Sequence, residues 1–412
     1  MFIKKLGPGF ITGAADDDPS GIATYSQTGA MFGYSHLWAA LFTFPFMSAV
    51  QEMCGRIGLV TGNGLAGVIR KHYTKKILFV AVACLLVANT VNIGTDLGAM
   101  AAAAQLLLPI PFTVLLLGMT AVILLLEIFI SYDKYVKILK YLTLSLFAYV
   151  IVVFTLRINW NDIIFATLIP TITLSRETIL NIVALLGTTI SPYLFFWQAD
   201  QEAEEEIGSG KILGIGNGKP RVTKRDVARV RADTLVGMFF SNLIMFFIIA
   251  TTAATLNTYG ITNIETADQA AEVLRPLAGD FSFILFAIGI IGTGFLAVPI
   301  LAGSAAYAIA ESLGWRGSLF LKFKEAHGFY GIITIATLIG LTFNYIGIPP
   351  FTMLYYTAIL NGIMAPPLIL LILHISNNKK IMGKYTNSPL SNILGWIVGA
   401  VMMLCALALL VL

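Results

Sequence analysis

The sequence contains few charged residues, few histidines and few cysteines. Only 12% of its 412 residues are Asp, Glu, Lys or Arg, whereas 57% are hydrophobic and the mean hydropathy is +0.84. Soluble domains carry about 25% charged residues, so this composition excludes a water-soluble globule and a disordered or collagenous chain. Cys54, Cys84 and Cys405 lie in apolar runs without metal-ligand spacing. We therefore expect neither a disulfide framework nor a zinc site.

The small excess of positive charge argues against a nucleic-acid partner. The chain has 26 Lys and Arg residues against 22 Asp and Glu residues, a formal net charge of +4. The basic residues lie at the ends of predicted helices rather than in one phosphate-binding patch. No histidine stands in an H-E-x-x-H pattern, and no serine or cysteine nucleophile has a recognisable base. The sequence thus predicts no enzyme activity, no cofactor, no nucleic acid and no obligatory protein partner.

Apolar runs long enough to cross a bilayer dominate the chain. A membrane-spanning helix needs roughly 20 apolar residues, and eleven stretches fit that length. They cover residues 7–32, 36–59, 77–107, 112–131, 135–156, 179–197, 234–256, 281–312, 329–346, 353–375 and 390–412. The predicted fold class is an all-α integral membrane protein in contact with the lipid bilayer, with residues 1–412 forming a single transmembrane domain.

Lysine and arginine indicate which loops stay in the cytoplasm. When the N-terminus is placed inside, 23 of the 26 basic residues fall on the inner side, and only Arg157, Arg176 and Arg275 fall outside. We therefore predict a multi-pass protein of the cell membrane with a cytoplasmic N-terminus and an external C-terminus. Segment 200–233 is predicted to be a cytoplasmic loop that runs through a glycine-rich stretch, 208–218, into a basic helical tail. Glu52 and Arg56, four residues apart on the second helix, are predicted to form an ion pair.

An acidic run, D-Q-E-A-E-E-E at 200–206, opens this predicted loop. Acidic residues are unfavourable at the C-terminus of a helix, because the helix dipole is negative there. Two interpretations stay open. The run is either a plain solvated cluster or a vestibule or Mg²⁺-sensing patch that attracts cations.

The first and sixth predicted helices are interrupted by proline and glycine. The interruptions are D-P-S-G at 18–21 and, directly after Gly187, T-T-I-S-P at 188–192. Proline removes a backbone donor and glycine loosens a helix, so both stretches are expected to unwind near the membrane midplane. Broken helices at matching positions of two five-helix halves are typical of an inverted-repeat transporter. This predicts repeats at about 7–156 and 177–375, with an extra helix at 390–412.

A simpler interpretation is that each break only restarts a kinked helix. Asp18 and Ser191 are each an N-cap residue followed by proline at the first helical position. For Asp18 we favour a functional role, because a carboxylate at membrane depth is costly and usually marks an ion or substrate path. For Ser191 both interpretations stay open, since proline kinks are common in membrane helices.

Acidic residues around the first break indicate a positively charged ligand. Asp16 and Asp17 lie where the first half-helix is expected to end, and the helix dipole is negative there. Together with Asp18 they form three adjacent carboxylates, which repel one another unless a cation compensates. We therefore expect the site between the breaks to bind a cation, with Asp16 and Asp17 on the ion path.

Oxygen atoms of two other helices suit the same cation. The break in the sixth helix frees backbone carbonyls from Gly187 to Ile190. Asn89, Asn92 and Asp96 share one face of the third helix, and Asn92 and Asp96 are candidates for the ion path. Hydrogen bonding between helices is the alternative role for that face.

These motifs resemble those of the NRAMP family of divalent-metal transporters. The resemblance rests on G-P-G-F-I at 7–11, D-P-S-G-I-A-T at 18–24, Q-E-M at 51–53 with Gly58, and T-D-L at 95–97. It implies a leucine-transporter-like fold that binds manganese or iron between an Asp-Pro-Gly-Asn motif in helix 1 and a Met-Pro-His motif in helix 6. On that pattern Asp18 keeps the metal-binding aspartate.

Two ligands that the resemblance implies are replaced. Gly21 stands where asparagine is expected, and Ser191 stands where methionine is expected. Thioether sulfur favours transition metals, whereas carboxylate, carbonyl and water suit Mg²⁺, Ca²⁺ and Mn²⁺. The small residues are expected to enlarge the pocket, and Mg²⁺ usually keeps several waters. The substitutions resemble those of the NRAMP-related magnesium transporters, which implies alternating-access transport of partly hydrated Mg²⁺, and also of Mn²⁺.

The same resemblance bears on proton coupling. The two helix 6 histidines of the family fall on Tyr193 and Gln198, and its helix 3 glutamate falls on Ala99. The four histidines of this chain lie near helix ends or in loops. We expect transport without stoichiometric protons; the alternative is a proton-coupled Mn²⁺/Fe²⁺ symporter. The predicted metal-site residues are Asp18, Gly21, Ile190, Ser191, Tyr193 and Gln198.

Overall fold

The computed structural model describes residues 7–130, 143–156, 158–173 and 175–411. Within these ranges the chain is helical apart from its loops, and the only β pairing is an isolated bridge between Gly214 and Asn217. The first nine α-helices are α1 Pro8–Asp16, α2 Pro19–Phe32, α3 Trp38–Thr61, α4 Leu65–His72, α5 Lys75–Gln105, α6 Phe112–Phe129, α7 Phe147–Thr155, α8 Trp160–Leu168 and α9 Arg176–Thr189. The others are α10 Pro192–Gly208, α11 Lys224–Thr252, α12 Ala267–Ala271, α13 Arg275–Ala278, α14 Ser282–Leu313, α15 His327–Thr342, α16 Pro350–Asn377, α17 Lys379–Met382 and α18 Pro389–Val411. The predicted all-α class is confirmed.

Eight helical segments of the described residues are long and apolar enough to cross a membrane. They are Lys75–Gln105, Phe112–Phe129, Arg176–Gly208, Lys224–Asn257, Ala267–Leu313, His327–Tyr345, Pro350–Asn377 and Pro389–Leu409. α1 and α2 have 9 and 14 residues, so neither reaches the roughly 20 residues that one span requires. The count of eleven spans stays a prediction. The fifth predicted helix, 135–156, lies partly outside the described residues, and α7 is its described end.

The predicted loop at 200–233 is much shorter in the structure. α10 continues through the acidic run to Gly208, and α11 begins at Lys224 with a capping box. The connecting loop therefore comprises only residues 209–223. The acidic side chains of α10, apart from that of Glu205, are at most 2% exposed. The interpretation as a solvated cluster is wrong, because these side chains are packed between helices.

Glycines allow close helix contacts beside both breaks. A β-carbon on Gly13 of α1 would meet the backbone of Gly237 in α11, and one on Gly187 of α9 would meet the backbone of Gly362 in α16. Small residues permit such close approach between membrane helices. The two helices that end at the breaks are thereby packed tightly against α11 and α16.

The start of α1 and several loops lie on one face, which we call the basic face. It contains Gly7 and the loops 62–64, 209–223 and 383–388. Hydrogen bonds connect these segments: Gly7 N to Asp233 Oδ1 (2.9 Å), Gly216 N to Gly62 O (2.7 Å) and Tyr385 Oη to Val222 O (2.6 Å). The charge distribution predicts that this face is cytoplasmic.

The predicted ion pair between Glu52 and Arg56 is confirmed. Nε of Arg56 lies 3.0 Å from Oε1 of Glu52, and both residues are buried. The Arg56 guanidinium also donates to the backbone oxygen of Tyr385 and to Oδ1 of Asn387. It therefore connects α3 to the loop that precedes α18 on the basic face.

Candidate functional site

The first break places Asp18 between two helices. α1 ends at Asp16 and α2 begins at Pro19, with Asp18 as its N-cap in an extended conformation. Oδ1 of Asp18 accepts hydrogen bonds from Gly21 N and Ser20 Oγ, both at 2.7 Å. Asp18 does cap α2, as the simpler interpretation predicts. Its second oxygen, Oδ2, has a different environment.

Oδ2 of Asp18 belongs to a buried polar network of three helices. Nδ2 of Asn92 in α5 donates both to this oxygen (3.1 Å) and to Oδ2 of Asp96 (3.0 Å). Oδ1 of Asn92 accepts from Nδ2 of Asn361 in α16 (3.0 Å). All four residues are at most 2% exposed. The structure therefore brings two ion-path candidates to Asp18: Asn92 by direct contact, and Asp96 through Asn92.

Sequence reasoning missed Asn361. It is the one amide in the interior of an apolar helix whose last residue, Asn377, is the other amide. A polar side chain at membrane depth usually has a functional or interhelical role. That signal was available, but no spacing connects residue 361 to residues 18 and 92. Only the packing of α16 against α5 and α2 does so.

Asp16 and Asp17 lie on the side of the break toward α11. Ser241 of α11 donates through its hydroxyl to Oδ2 of Asp16, and it lies 3.5 Å from Oδ1 of Asp17. Both aspartates are buried, and Oδ1 of Asp16 has no hydrogen-bond partner. Within the described part of the chain, no basic side chain lies within 4.0 Å of Asp16, Asp17, Asp18 or Asp96. Buried charges without a partner are costly, so this cluster favours a bound cation or protons.

The second break contains no charged side chain. α9 ends at Thr189 and α10 begins at Pro192, and Ile190 and Ser191 lie between them. Oγ of Ser191 donates to the carbonyl oxygens of Gly187 (2.7 Å) and Thr188 (2.8 Å). The hydroxyl hydrogen is therefore shared between two carbonyl oxygens at the end of α9.

The two breaks lie against each other. Oη of Tyr193 in α10 donates to the carbonyl oxygen of Ala15 in α1 (2.9 Å). A β-carbon on Gly21 would lie 2.9 Å from the carbonyl oxygen of Asp16 and 3.4 Å from Oγ1 of Thr188. Gly21 therefore does not open an enlarged pocket in this conformation, because the end of α1 fills that space.

Two predicted residues take other roles. Nε2 of Gln198 donates to Oε1 of Glu202 (3.1 Å), and Gln198 follows Ser191 by seven residues, about 10 Å along the helix. Asn89 donates to the Leu301 carbonyl oxygen and to Oγ of Ser304 in α14. Asn89 thus makes the interhelical hydrogen bonds that were its alternative role.

The histidines lie at helix ends, as the sequence indicates. His72 is the last residue of α4, His327 is the first residue of α15, and His374 lies in the last turn of α16. His36 ends a short 3₁₀ turn before α3, where its Nδ1 lies 2.9 Å from Nδ2 of Asn181. The structure brings none of these four residues into the network around Asp18.

The donor set around Asp18 consists of oxygen and amide groups. The described residues contain no group of three His, Cys, Asp or Glu side chains arranged to hold a metal ion. A cation at Asp18 would therefore take few carboxylate ligands. Backbone carbonyls, amide oxygens and water would complete its coordination.

Solved transporters share this fold. The Eremococcus coleocola manganese transporter, in complex with an aromatic bis-isothiourea substituted compound, matches with a TM-score of 0.74 and 17% identity, over 99% of this chain and 87% of that chain. Mhp1, a nucleobase-cation-symport-1 family transporter in a closed conformation, matches with a TM-score of 0.58 and 12% identity, over 98% and 92%. At these identities the likeness shows the fold alone, and the predicted leucine-transporter-like fold is confirmed.

Relatives in sequence cover nearly the same length. The divalent metal cation transporter MntH of Caldanaerobacter subterraneus subsp. tengcongensis is 25% identical over 412 residues, covering 98% of this chain and 91% of the relative. The protein of the same name from Klebsiella pneumoniae subsp. pneumoniae is 26% identical over 408 residues, covering 97% and 92%. The family model for natural resistance-associated macrophage protein-like sequences matches residues 9–412. Since that match spans almost all of the chain, this protein belongs to the Nramp family.

Proposed function

We propose that this protein transports a divalent cation across the cell membrane by alternating access around Asp18. The observation that carries the proposal is a buried carboxylate at the break of α1 and α2, in a network with Asn92 and Asp96 and without a basic partner. The relatives' names, divalent metal cation transporter and manganese transporter, support this class of substrate. The transported ion is the substrate. We propose neither a cofactor nor an enzyme activity for this protein.

Mg²⁺ is the proposed substrate, with Mn²⁺ also transported. Ser191 supplies no thioether where the family pattern has methionine; its hydroxyl donates to two backbone carbonyls and offers a cation only an oxygen lone pair. The remaining donors are carboxylate, amide and carbonyl oxygens, which suit hard cations. Mg²⁺ is commonly held by one or two carboxylates while it keeps several waters. A site with few carboxylate ligands fits that coordination.

Transport is proposed to proceed without stoichiometric protons. Tyr193, at the position of one family histidine, donates to the Ala15 carbonyl oxygen and has no neutral-pH titration of its own. Gln198 and Ala99 are not ionisable. The supply of exchangeable protons near the break therefore rests on the aspartates alone.

The second candidate is a proton-coupled Mn²⁺/Fe²⁺ symporter. One observation favours it: Asp16, Asp17, Asp18 and Asp96 are buried without a basic partner among the described residues. When no metal is bound, such carboxylates would have to take up protons. Proton release on metal binding would then couple proton transport to metal transport.

Ion access to Asp18 requires helices to move. Asp18 is 2% exposed, so an ion on it has no path to either side until helices move. We propose that the two repeats, 7–156 and 177–375, rearrange around α1–α2 and α9–α10, with the N-terminus in the cytoplasm and the C-terminus outside. On the inner side, α1 would have to leave Asp233, which accepts from Gly7 N and from Gly9 N (2.7 Å).

Uptake by the purified protein in liposomes tests both candidates. Mg²⁺, Mn²⁺ and Ca²⁺ are compared while a trapped dye records internal pH, and Asp18→Asn serves as the inactive control. We expect Mg²⁺ uptake with no matching acidification and a weak dependence on external pH between about 6 and 8, where histidine titrates. A proton flux in fixed ratio to the metal would instead establish the symporter.

A further inference from the structure

The second half of α10 contains an acidic residue that has no partner. Asp200 is 0% exposed, and neither of its carboxylate oxygens has a hydrogen-bond partner. A buried charge is expected to be paired or to coordinate a metal. Asp200 lies nine residues beyond Ser191, about 13 Å along the helix axis, so it does not belong to the break at Asp18.

A second carboxylate faces the same point. A β-carbon on Gly64 would meet both Oδ1 of Asp200 and Oε2 of Glu311 in α14, the latter at 2.7 Å. Glu311 also accepts from two amides at the start of α4, with Gly64 N at 2.7 Å and Gly67 N at 2.8 Å. These two hydrogen bonds fix the Glu311 carboxyl group beside Asp200.

The basic side chains near this pair donate hydrogen bonds to other groups. Nη1 of Arg70 donates to the backbone oxygen of Glu311 (3.0 Å), and Nζ of Lys71 donates to Oδ1 of Asn63 (2.7 Å). Within the described residues, no basic group lies within 4.0 Å of either carboxylate. A third acid, Glu204, accepts from Oη of Tyr307 (2.8 Å) through Oε1, and its Oε2 has no partner. Among the described residues, no ion pair neutralises this acidic group directly.

A cavity of about 770 Å³ adjoins the pair on the basic face. Glu311, Tyr307, Gly67 and Asn63 line it. The cavity gives water and small ions access to Glu311, beside the buried Asp200. Mg²⁺ is commonly bound by one or two carboxylates and several waters, which this site can supply. Zn²⁺ prefers histidine or thiolate ligands, which the described site lacks.

We propose that Asp200 and Glu311 bind a hydrated divalent cation of the Mg²⁺ type at a second site, on the basic face and separate from Asp18. The cation bridges α10 to α14 and to the start of α4, because Glu311 is anchored to the amides of Gly64 and Gly67. Its remaining ligands are waters from the adjoining cavity. The unpartnered, fully buried Asp200 is the observation that separates this site from an ordinary acidic surface.

The test counts bound ions in the full-length protein, purified in detergent, after the first site has been removed. In an Asp18→Ala background, electron paramagnetic resonance measures free Mn²⁺, and Mg²⁺ is the competitor. We expect one Mn²⁺ per chain, displaced by Mg²⁺, and its loss on adding Asp200→Asn. The matched control is Glu205→Gln on the same helix, whose Oε2 accepts from Arg229 (2.9 Å) at a partly exposed position. That variant should keep the ion.

Folding is checked by elution profile and circular dichroism. If Asp200→Asn does not fold, Glu311→Gln replaces it, since glutamine keeps one acceptor oxygen for the α4 amides. The melting temperature provides a second readout: Mg²⁺ should raise it in Asp18→Ala, with or without Glu205→Gln, and should no longer raise it once Asp200→Asn or Glu311→Gln is added. No Mn²⁺ binding by Asp18→Ala, or unchanged binding after Asp200→Asn, would overturn the proposal. A stability gain from Asp200→Asn that is the same with and without Mg²⁺ would also overturn it, in favour of a proton shared by the two carboxylates. None of these outcomes depends on transport.

Discussion

The two helix breaks are built from different chemical groups. The first contains three adjacent aspartates, and Asp18 extends its contacts to α5 through Asn92. The second contains Ile190 and Ser191, with no charge, and the serine hydroxyl donates to two carbonyl oxygens of the preceding helix, α9. Of the two breaks, only the first therefore contributes charge to the site, whereas the second contributes backbone geometry.

This difference sets the expected order of mutational effects. Changes at the first break remove charge from a buried network and should affect ion binding directly. Changes at the second break alter the shape and softness of the site and should affect selectivity. Changes at the hydrogen bond between the breaks should affect mainly stability.

The largest effect is expected for Asp18→Ala. It removes the carboxylate that contacts both α2 and α5, so divalent uptake in liposomes should fall to the level of empty vesicles. Asp18→Asn, which keeps the shape and one oxygen, should fold and be equally inactive, which separates loss of charge from loss of the cap. Near-normal uptake by either folded variant would move the site to Asp17 or Asp96.

A smaller loss is expected for Asn92→Leu. Oδ2 of Asp18 loses its donor, and Asn361 loses its acceptor. Unsatisfied buried polar groups cost about 1–3 kcal/mol, so the apparent affinity for Mg²⁺ should weaken about tenfold, as measured by uptake at graded concentrations. The matched control is Asn89→Leu, three residues earlier, which bonds only to α14. Asn89→Leu should lower stability without changing the affinity for Mg²⁺. Equal Mg²⁺ affinities in the two variants would contradict a role of the Asn92 network in ion binding.

A change in selectivity is expected from a double variant with one substitution at each break. Gly21→Asn with Ser191→Met adds an amide oxygen and a thioether, which replace bound water and favour Mn²⁺ over Mg²⁺. A tenfold rise in the Mn²⁺-to-Mg²⁺ competition ratio corresponds to about 1.4 kcal/mol. Since a side chain at residue 21 meets the Asp16 carbonyl oxygen at 2.9 Å, Ser191→Met alone should account for most of the rise. Gly21→Ala controls for the steric effect, and an unchanged ratio in the folded double variant would place both residues away from the ion.

The smallest effect is expected for Tyr193→Phe. The variant loses only the hydrogen bond to the Ala15 carbonyl oxygen, worth about 1 kcal/mol. The melting temperature should fall slightly, while the pH profile of uptake should be unchanged. A shifted pH profile would show that Tyr193 takes part in proton transfer and would favour the symporter.

Much of the helical framework could be predicted from local features. Proline and glycine mark the two breaks, and long apolar runs mark the membrane helices, because backbone hydrogen bonding in a bilayer leaves few alternatives to helix. The structure of the segment after Ser191 was harder to predict. Its acidic residues suggested a loop, yet α10 continues to Gly208 because neighbouring helices bury them.

The sequence by itself determined that Asp18 lies at a helix break and that its neighbourhood is too acidic to stay without a cation or protons. Those conclusions rest on residues within a few positions of one another. Only the tertiary structure decided that Asn361 joins Asn92, that Gln198 does not join the site, and that Asp200 meets Glu311. The residues that meet are far apart in the sequence; Asn92 and Asn361, for example, are 269 positions apart. Local periodicity does not encode which helix faces meet. The packing of whole helices determines that, through small residues that allow close approach.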